Sequence, residues 1–429
     1  MSPRQPMPAP APFLRALDRV TVANAVVSFL FAVTGPFALL LAVGAKLGAT
    51  PAQIQGWLLA GYAIGGLISV GASIGFRQPI AIAFSIPGAA ILTQTTLPLP
   101  LPEIAGATVA TGALLILLGA TRLVGVLTLA VPLPVAMGMV AGIFVPFALP
   151  LVTALPHVPG PWVCAVAGYL AATIIRPIGQ VVPPMVMAII GVGAAYAFQH
   201  LMQMSSGVVT ISVPGPIGPT GPASPALDFV LPTLDLGEIV LPQFTWRAIA
   251  ELVPPMLVAV AAILNLQGFA LMRHRGYAPP INAATALCGV GSLANAAFGF
   301  VPHNVTGPAT GLLVQGGRIE RHWAGGVLWG VLMTAFGLLA PSVTDLALRL
   351  PPPLIAMLGA LALMPVLLGA LRTAFGGAQP LPALLAFLVT SAGVPFLSVG
   401  AAFWGLLAGL IAHGVLRLQA GIDARPPRP

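Results

Sequence analysis

Apolar runs of about 20 residues follow one another almost without pause from Val22 to Leu416, and each is long enough to cross a bilayer as a helix. The chain is 58% hydrophobic and 6% charged over 429 residues, too few charges to clothe a water-soluble surface. It therefore reads as an all-α polytopic membrane protein of about fourteen transmembrane segments. They lie near 22–44, 53–75, 79–98, 104–121, 133–152, 161–175, 180–199, 248–272, 279–297, 300–315, 322–341, 352–371, 382–396 and 397–416.

Threading these segments separates the basic residues. With the N-terminus in the cytoplasm, fourteen of the seventeen Lys and Arg fall on that side, from Arg4 and Arg15 through Arg273 and Arg318 to Arg428. The other side keeps Lys46, Arg247 and Arg349. Cytoplasmic enrichment of basic residues orients membrane proteins, so both termini are expected in the cytoplasm. The net charge of +8 then reflects topology and anionic lipid, and the dispersed arginines argue against nucleic acid.

Residues 1–20 are Pro-rich and read as a disordered cytoplasmic tail, and 418–429 read as a C-terminal cytoplasmic tail. Residues 201–246, with the Gly/Pro-rich run Val213–Pro225, read as an extracytoplasmic loop between two seven-span halves, 21–200 and 247–417. Cys164 and Cys288 sit in apolar segments and read as packed thiols. The six histidines lack metal-ligand spacing, and no metal or cofactor is expected.

The halves echo one another at an offset of about 220 residues. Ser85-Ile86-Pro87-Gly88-Ala89 has its counterpart in Val305-Thr306-Gly307-Pro308-Ala309, and Pro132-Leu133-Pro134 in Pro352-Pro353-Leu354. Seven is odd, so the second half enters from the opposite face, which makes the repeat an inverted one. The Pro-Gly pairs fall in mid-segment, after Gln78–Phe84 and after Phe298–Pro302. Proline suits a helix's first turn. Each segment is therefore expected to run extended to mid-membrane and continue as a half-helix. Two inverted half-helices present their N-termini to each other, and unpaired N–H groups there favour an anion such as a carboxylate.

The run Gly48-Ala49-Thr50-Pro51-Ala52-Gln53-Ile54, the segment Phe84–Ala90, Asn265-Leu266-Gln267-Gly268 with Arg273 and Gly276–Pro280, and Asn304 together resemble the benzoate–proton symporter (BenE-type) family of bacterial inner-membrane transporters. The resemblance covers most of the chain. It implies the inverted-repeat fold shared with the uracil permeases, with spans 1–4 and 8–11 as a core domain and 5–7 and 12–14 as a gate. It also implies import of a small aromatic carboxylate with protons by alternating access. The implied partners are that anion, the proton and the bilayer, with a homo-oligomer as one option. A nucleobase or inorganic-anion carrier on the same fold is the alternative. An integral-membrane enzyme is a remote one, since no catalytic cluster is visible.

Polar residues within the spans are candidates for the site because they are costly in lipid. The substrate set is Phe84, Ser85, Ile86, Pro87, Gly88, Asn265, Gln267, His303, Asn304, Thr306 and Gly307. Asn265 and Gln267 stand about 200° apart around one helix, so both cannot face one ligand; Asn265 is favoured, with an interhelical hydrogen bond as its alternative role. Ser85 and Thr306 either cap their half-helices or touch the anion. His303 is the candidate for proton coupling. The Gly61/Gly65, Gly71/Gly75 and Gly138/Gly142 pairs suit close helix packing.

Overall fold

The computed structural model describes residues 11–95, 99–126, 131–175, 182–205, 238–377, 380–394, 396 and 399–423. It is mostly helical. In chain order the elements are α1 (Arg19–Leu47), α2 (Pro51–Phe76), β1 (Ile82–Phe84), α3 (Ile86–Ile91), α4 (Leu101–Thr121), α5 (Leu133–Thr153), α6 (Pro159–Ile174) and α7 (Pro184–Ser205). Then follow α8 (Trp246–His274), α9 (Ile281–Ala296), β2 (His303–Val305), α10 (Gly307–Leu313), α11 (Ile319–Leu338), α12 (Ala340–Leu348), α13 (Pro352–Phe375), α14 (Leu381–Ala392) and α15 (Ala401–Asp423). Among the described residues, seven helices are long and apolar enough to cross a membrane. An eighth candidate is the pair α11 and α12, bent by 65°.

The stretches around Pro87 and Pro308 are not continuous helices. Each is a short strand followed by a half-helix with proline in its first turn. The strands pair antiparallel in the register Ile82↔Val305, Ala83↔Asn304, Phe84↔His303. Ser85 N–H donates to Pro302 O at 2.8 Å and Thr306 N–H to Ala81 O at 2.9 Å, extending the ribbon at both ends. Extended backbone in an apolar interior must find partners, and each strand satisfies one edge of the other.

The outer edges are closed by side chains. Ile82 N–H donates to Ser69 Oγ at 2.8 Å and Ile80 N–H to Ser73 Oγ at 3.2 Å, both on α2. Opposite them, His303 N–H donates to Ser292 Oγ of α9 at 3.0 Å, and Val305 N–H to Asn265 Oδ1 of α8 at 2.7 Å. The Ser69–Ile82 and Ser292–His303 bonds are the same bond displaced along the chain, by 292 − 69 = 223 and 303 − 82 = 221 residues.

Around the ribbon α2 packs on α11 and α4 on α9, while α5 packs on α13 and α14. Both of the first two crossings are backbone-close. A Cβ on Gly66 would lie 2.5 Å from Gly330 O, and one on Gly289 would lie 2.6 Å from Gly112 O. Gly138 and Gly142 meet α14 at Ala383 and Thr390. Gly71 and Gly75, expected to pack likewise, have open space beside them. Large aromatics fill the interior next to β1: Trp57 stacks on Phe300 at 5.2 Å and 14°, and Phe84 lies 5.3 Å from Phe300 and 5.4 Å from Tyr62.

The ends differ from expectation. Residues 11–20 do not trail as a tail. A helical turn, Phe13–Ala16, precedes α1, Ala11 N–H donates to Glu320 O at 3.1 Å, and Phe13 lies 5.7 Å from Trp323. Burial of Ala16 and the aromatic contact hold the segment down. At the other end α15 continues past the expected boundary to Asp423. Of the central loop, 206–237 lies outside the described residues. Its end is pinned, with Val240 N–H on Ala297 O at 2.7 Å and Gln243 N–H on Pro102 O at 2.8 Å.

Candidate functional site

Strand alternation decides which side chains share a face. Ile82, Phe84, His303 and Val305 lie on one face of the ribbon, and Ala83 and Asn304 on the other. The first face is packed solid. The His303 ring is fully buried between glycines of α2 and α9: a Cβ on Gly65 would lie 2.8 Å from Nε2, and one on Gly291 would lie 2.9 Å from Nδ1. Phe84 sits in the aromatic cluster, over Gly61. Two residues expected beside a ligand thus point into the helix layer behind the ribbon.

On the opposite face Asn304 is 2% exposed, and its Oδ1 has no hydrogen-bond partner among the described residues. A buried amide left open in this way is costly unless something binds it.

The two half-helix ends are not alike. Ser85 caps α3, its Oγ accepting Gly88 N–H at 3.0 Å. Ala89 N–H is bonded to Ser85 O and Pro87 has no N–H, so little donor capacity is left there. Thr306, at the same place before α10, makes no side-chain cap. Thr310 N–H bonds Thr306 O, which leaves Gly307 and Ala309 N–H without a capping group. An anion is therefore better served at α10 than at α3.

The α8 residues exchange their expected parts. Asn265 is fully buried and spent: Oδ1 accepts Val305 N–H, and Nδ2 donates to Thr285 Oγ1 at 3.4 Å. Gln267 is exposed and lies over Gly307, where a Cβ would come within 2.8 Å of its amide. The 200° separation holds, but the outward member is Gln267. Sequence reasoning missed Ser69, Ser73 and Ser292; the one signal was that Ser69 recurs as Ser292, 223 residues on, and Ser73 has no such counterpart.

A groove of about 510 Å³ runs from the first turn of α10 to the ends of α8 and α10. Leu271, Pro308 and Leu312 form its walls, and His274, Arg275 and Gln315 its lip. Among the described residues, no acidic side chain lines it. Ser85 and Thr306 stand at opposite ends of the ribbon, four residues apart at about 3.3 Å each, so the two half-helix starts are roughly 13 Å apart.

A multi-pass helical bundle whose polar residues gather where two broken helices cross is an architecture of membrane transporters. Sequence comparison gives the particular family: the profile described as "Benzoate membrane transport protein" (BenE) matches residues 16–237 and 227–415. The chain belongs to the BenE family. It is 29% identical over 378 residues to the "Inner membrane protein YdcO" of Escherichia coli (strain K12), covering 87% of this chain and 90% of that one. It is 25% identical over 395 residues to the "Benzoate membrane transport protein" of Acinetobacter baylyi (strain ATCC 33305 / BD413 / ADP1), covering 90% and 92%. Among solved structures, the transmembrane domain of the cyanobacterial bicarbonate transporter BicA shares the fold, with a TM-score of 0.53 at 16% identity, over 94% of this chain and 98% of that one.

Proposed function

We propose that this membrane transporter imports a small aromatic carboxylate of the benzoate type, with protons, across a bacterial inner membrane by alternating access. The observation that carries the reading is the uncapped start of α10, where Gly307 and Ala309 N–H have no side-chain cap; Asn304 stands just before it, and its Nδ2, not the acceptor Oδ1, is the group that donates to an anion. Gln267 and the Thr306 hydroxyl supply further donors at the same end. The carboxylate sits there, and the ring points along the Asn304 face toward Ala83 and the α3 end. An anion roughly 6–7 Å long, with about 3 Å of hydrogen bond at one end and about 3.5 Å of van der Waals contact at the other, fills a gap of this size. The groove, free of acidic residues among the described ones and with Arg275 and His274 at its lip, is the cytoplasmic passage. Ile86, Pro87 and Gly88 shape the far end. Phe84, Asn265 and His303 support the ribbon from behind.

The displaced serine bonds, and the matched α2/α11 and α4/α9 crossings, support a seven-plus-seven inverted repeat of fourteen spans. In this reading α1–α4 and α8–α11, with the ribbon, form the core and the remaining helices the gate. Both termini are cytoplasmic. The relatives' names favour transport over enzymatic chemistry. Proton coupling follows the family resemblance.

Calorimetry on the purified chain with benzoate, uracil and bicarbonate tests the reading. Benzoate binds and uracil does not. Asn304→Leu weakens binding about ten-fold or more, as loss of a hydrogen bond to a charged group implies. Asn265→Ala instead lowers thermal stability by about 1–3 kcal/mol, because it orphans Val305 N–H, and leaves the affinity of folded protein unchanged. Binding of uracil without benzoate would overturn the substrate, and an affinity loss confined to Asn265→Ala would overturn the site.

A further inference from the structure

Where α10 turns into α11, a histidine is held by more hydrogen-bonding geometry than a neutral imidazole can satisfy. His322, in the first turns of α11, has a partner on each ring nitrogen. Nε2 lies 2.7 Å from Gly316 O, and a carbonyl only accepts, so Nε2 carries a hydrogen. Nδ1 lies 2.9 Å from the Tyr277 hydroxyl, whose oxygen is also 2.9 Å from Ile319 O.

Tyr277 has one hydroxyl hydrogen for these two neighbours. If Nδ1 takes it, Tyr277 Oη and Ile319 O face each other at hydrogen-bond distance with no hydrogen between them. If Ile319 O takes it, Nδ1 must donate to Oη, and the ring is an imidazolium. Only the protonated ring makes all three bonds. The phenol keeps its hydrogen: burial, aided by the charge of Glu320, pushes it above its ordinary range, with Arg275 acting the other way.

We propose that His322, with Tyr277, Gly316 and Ile319, is a proton-binding site whose occupancy fixes the α10–α11 loop and thereby sets the pH dependence of transport. The proton site stands on its own geometry, and only the link to transport rests on the function proposed above. The surrounding charges are mixed. Burial disfavours the cation most and Arg275 at the end of α8 adds to that, while the Gly316 carbonyl, Asp18 from the segment before α1 and Glu320 at the start of α11 favour it. Asp18 is paired with Arg321 at 2.7 Å and Glu320 with Arg318 at 2.5 Å. The loop is well placed to report to the substrate half-helix. Gly316, whose carbonyl binds Nε2, directly follows Gln315 at the groove lip. Asn24 of α1 donates to Gln315 O in turn. Loss of the proton leaves Ile319 O or Nδ1 unsatisfied and loosens the loop next to the passage.

The test uses full-length chain in nanodiscs with ¹⁵N-labelled histidine. Long-range ¹H–¹⁵N spectra resolve the six imidazoles, and His322→Gln, which keeps a donor for Gly316 O, assigns the signal. His322 titrates from imidazolium to a single neutral tautomer. Tyr277→Phe lowers its midpoint by about 0.5–1 pH unit, since the charged form loses one bond more than the neutral form. In proteoliposomes His322→Gln flattens the dependence of uptake on pH. An imidazole that stays neutral throughout, a midpoint indifferent to Tyr277→Phe, or a wild-type pH profile in His322→Gln each overturns the proposal. Benzoate binding by the wild-type chain is measured alongside. Its absence overturns the substrate assignment, while the spectra still decide the proton site.

Discussion

At the residue scale, polar side chains in the apolar interior divide into those that close backbone edges and those left open. Ser69, Ser73, Ser292 and Asn265 belong to the first group and Asn304 to the second. Residue type alone does not separate Asn265 from Asn304; the partner at Val305 N–H does. Asp18 illustrates a polar residue at the rim with two duties. It caps α1 by accepting Thr21 N–H at 2.8 Å, and it pairs with Arg321 in the first turn of α11. The Thr21 N–H, with Arg321, holds its carboxyl below the ordinary value. A depressed carboxylate contributes stability above its unfolded pKa of about 3.9, and that contribution is lost as pH falls through the lower folded value. Asp18→Ala is therefore expected to lower thermal stability by about 1 kcal/mol at neutral pH, the size of a lost cap. The difference from wild type should shrink toward zero as melts are repeated below about pH 3. A difference that persists in acid would assign the effect to packing.

At the scale of elements, two helix crossings flank the ribbon and both depend on paired glycines. Gly66 with Gly330 brings α2 against α11, and Gly112 with Gly289 brings α4 against α9. Under the proposed repeat, Gly66 would correspond to Gly289 and Gly112 to Gly330, at 289 − 66 = 223 and 330 − 112 = 218 residues. Gly66→Ala and Gly289→Ala are each expected to cost about 1–3 kcal/mol, because the clash is with backbone and no side chain can move aside. Gly71→Ala, with open space around it, should leave the melting temperature in detergent unchanged. Equal melting temperatures for all three variants would remove the glycine crossings from the account. The two half-helices were legible from their proline positions. Their inequality was not, since Ser85 and Thr306 are both plausible caps by type and only Ser85 turns inward to Gly88 N–H.

At the scale of the whole molecule, orientation is the claim most open to a direct check. In a cysteine-free background, an impermeant maleimide added to whole cells should label Leu241→Cys, which is 81% exposed in the segment before α8, and not His274→Cys at the helix's other end. Labelling of His274→Cys alone would reverse the topology. The proton site at His322 belongs to this scale as well, because it joins the α8–α9 connection, the α10–α11 loop and, through Asp18 and Arg321, the N-terminal segment.

What the sequence determined by itself follows from local physics. Long apolar runs demand helices that cross a bilayer, prolines in mid-run demand breaks, and the spread of arginines suggests the sides. These are properties of contiguous residues. The site depends on residues more than two hundred positions apart meeting in one register. Pairing Phe84 with His303, and Ala83 with Asn304, turns His303 into the helix layer and Asn304 to the opposite face of the ribbon. A shift of one residue would have exchanged them. No local pattern encodes that choice. It is made by the edge bonds from Ser69, Ser292 and Asn265, which exist only once α2, α8 and α9 have packed around the ribbon.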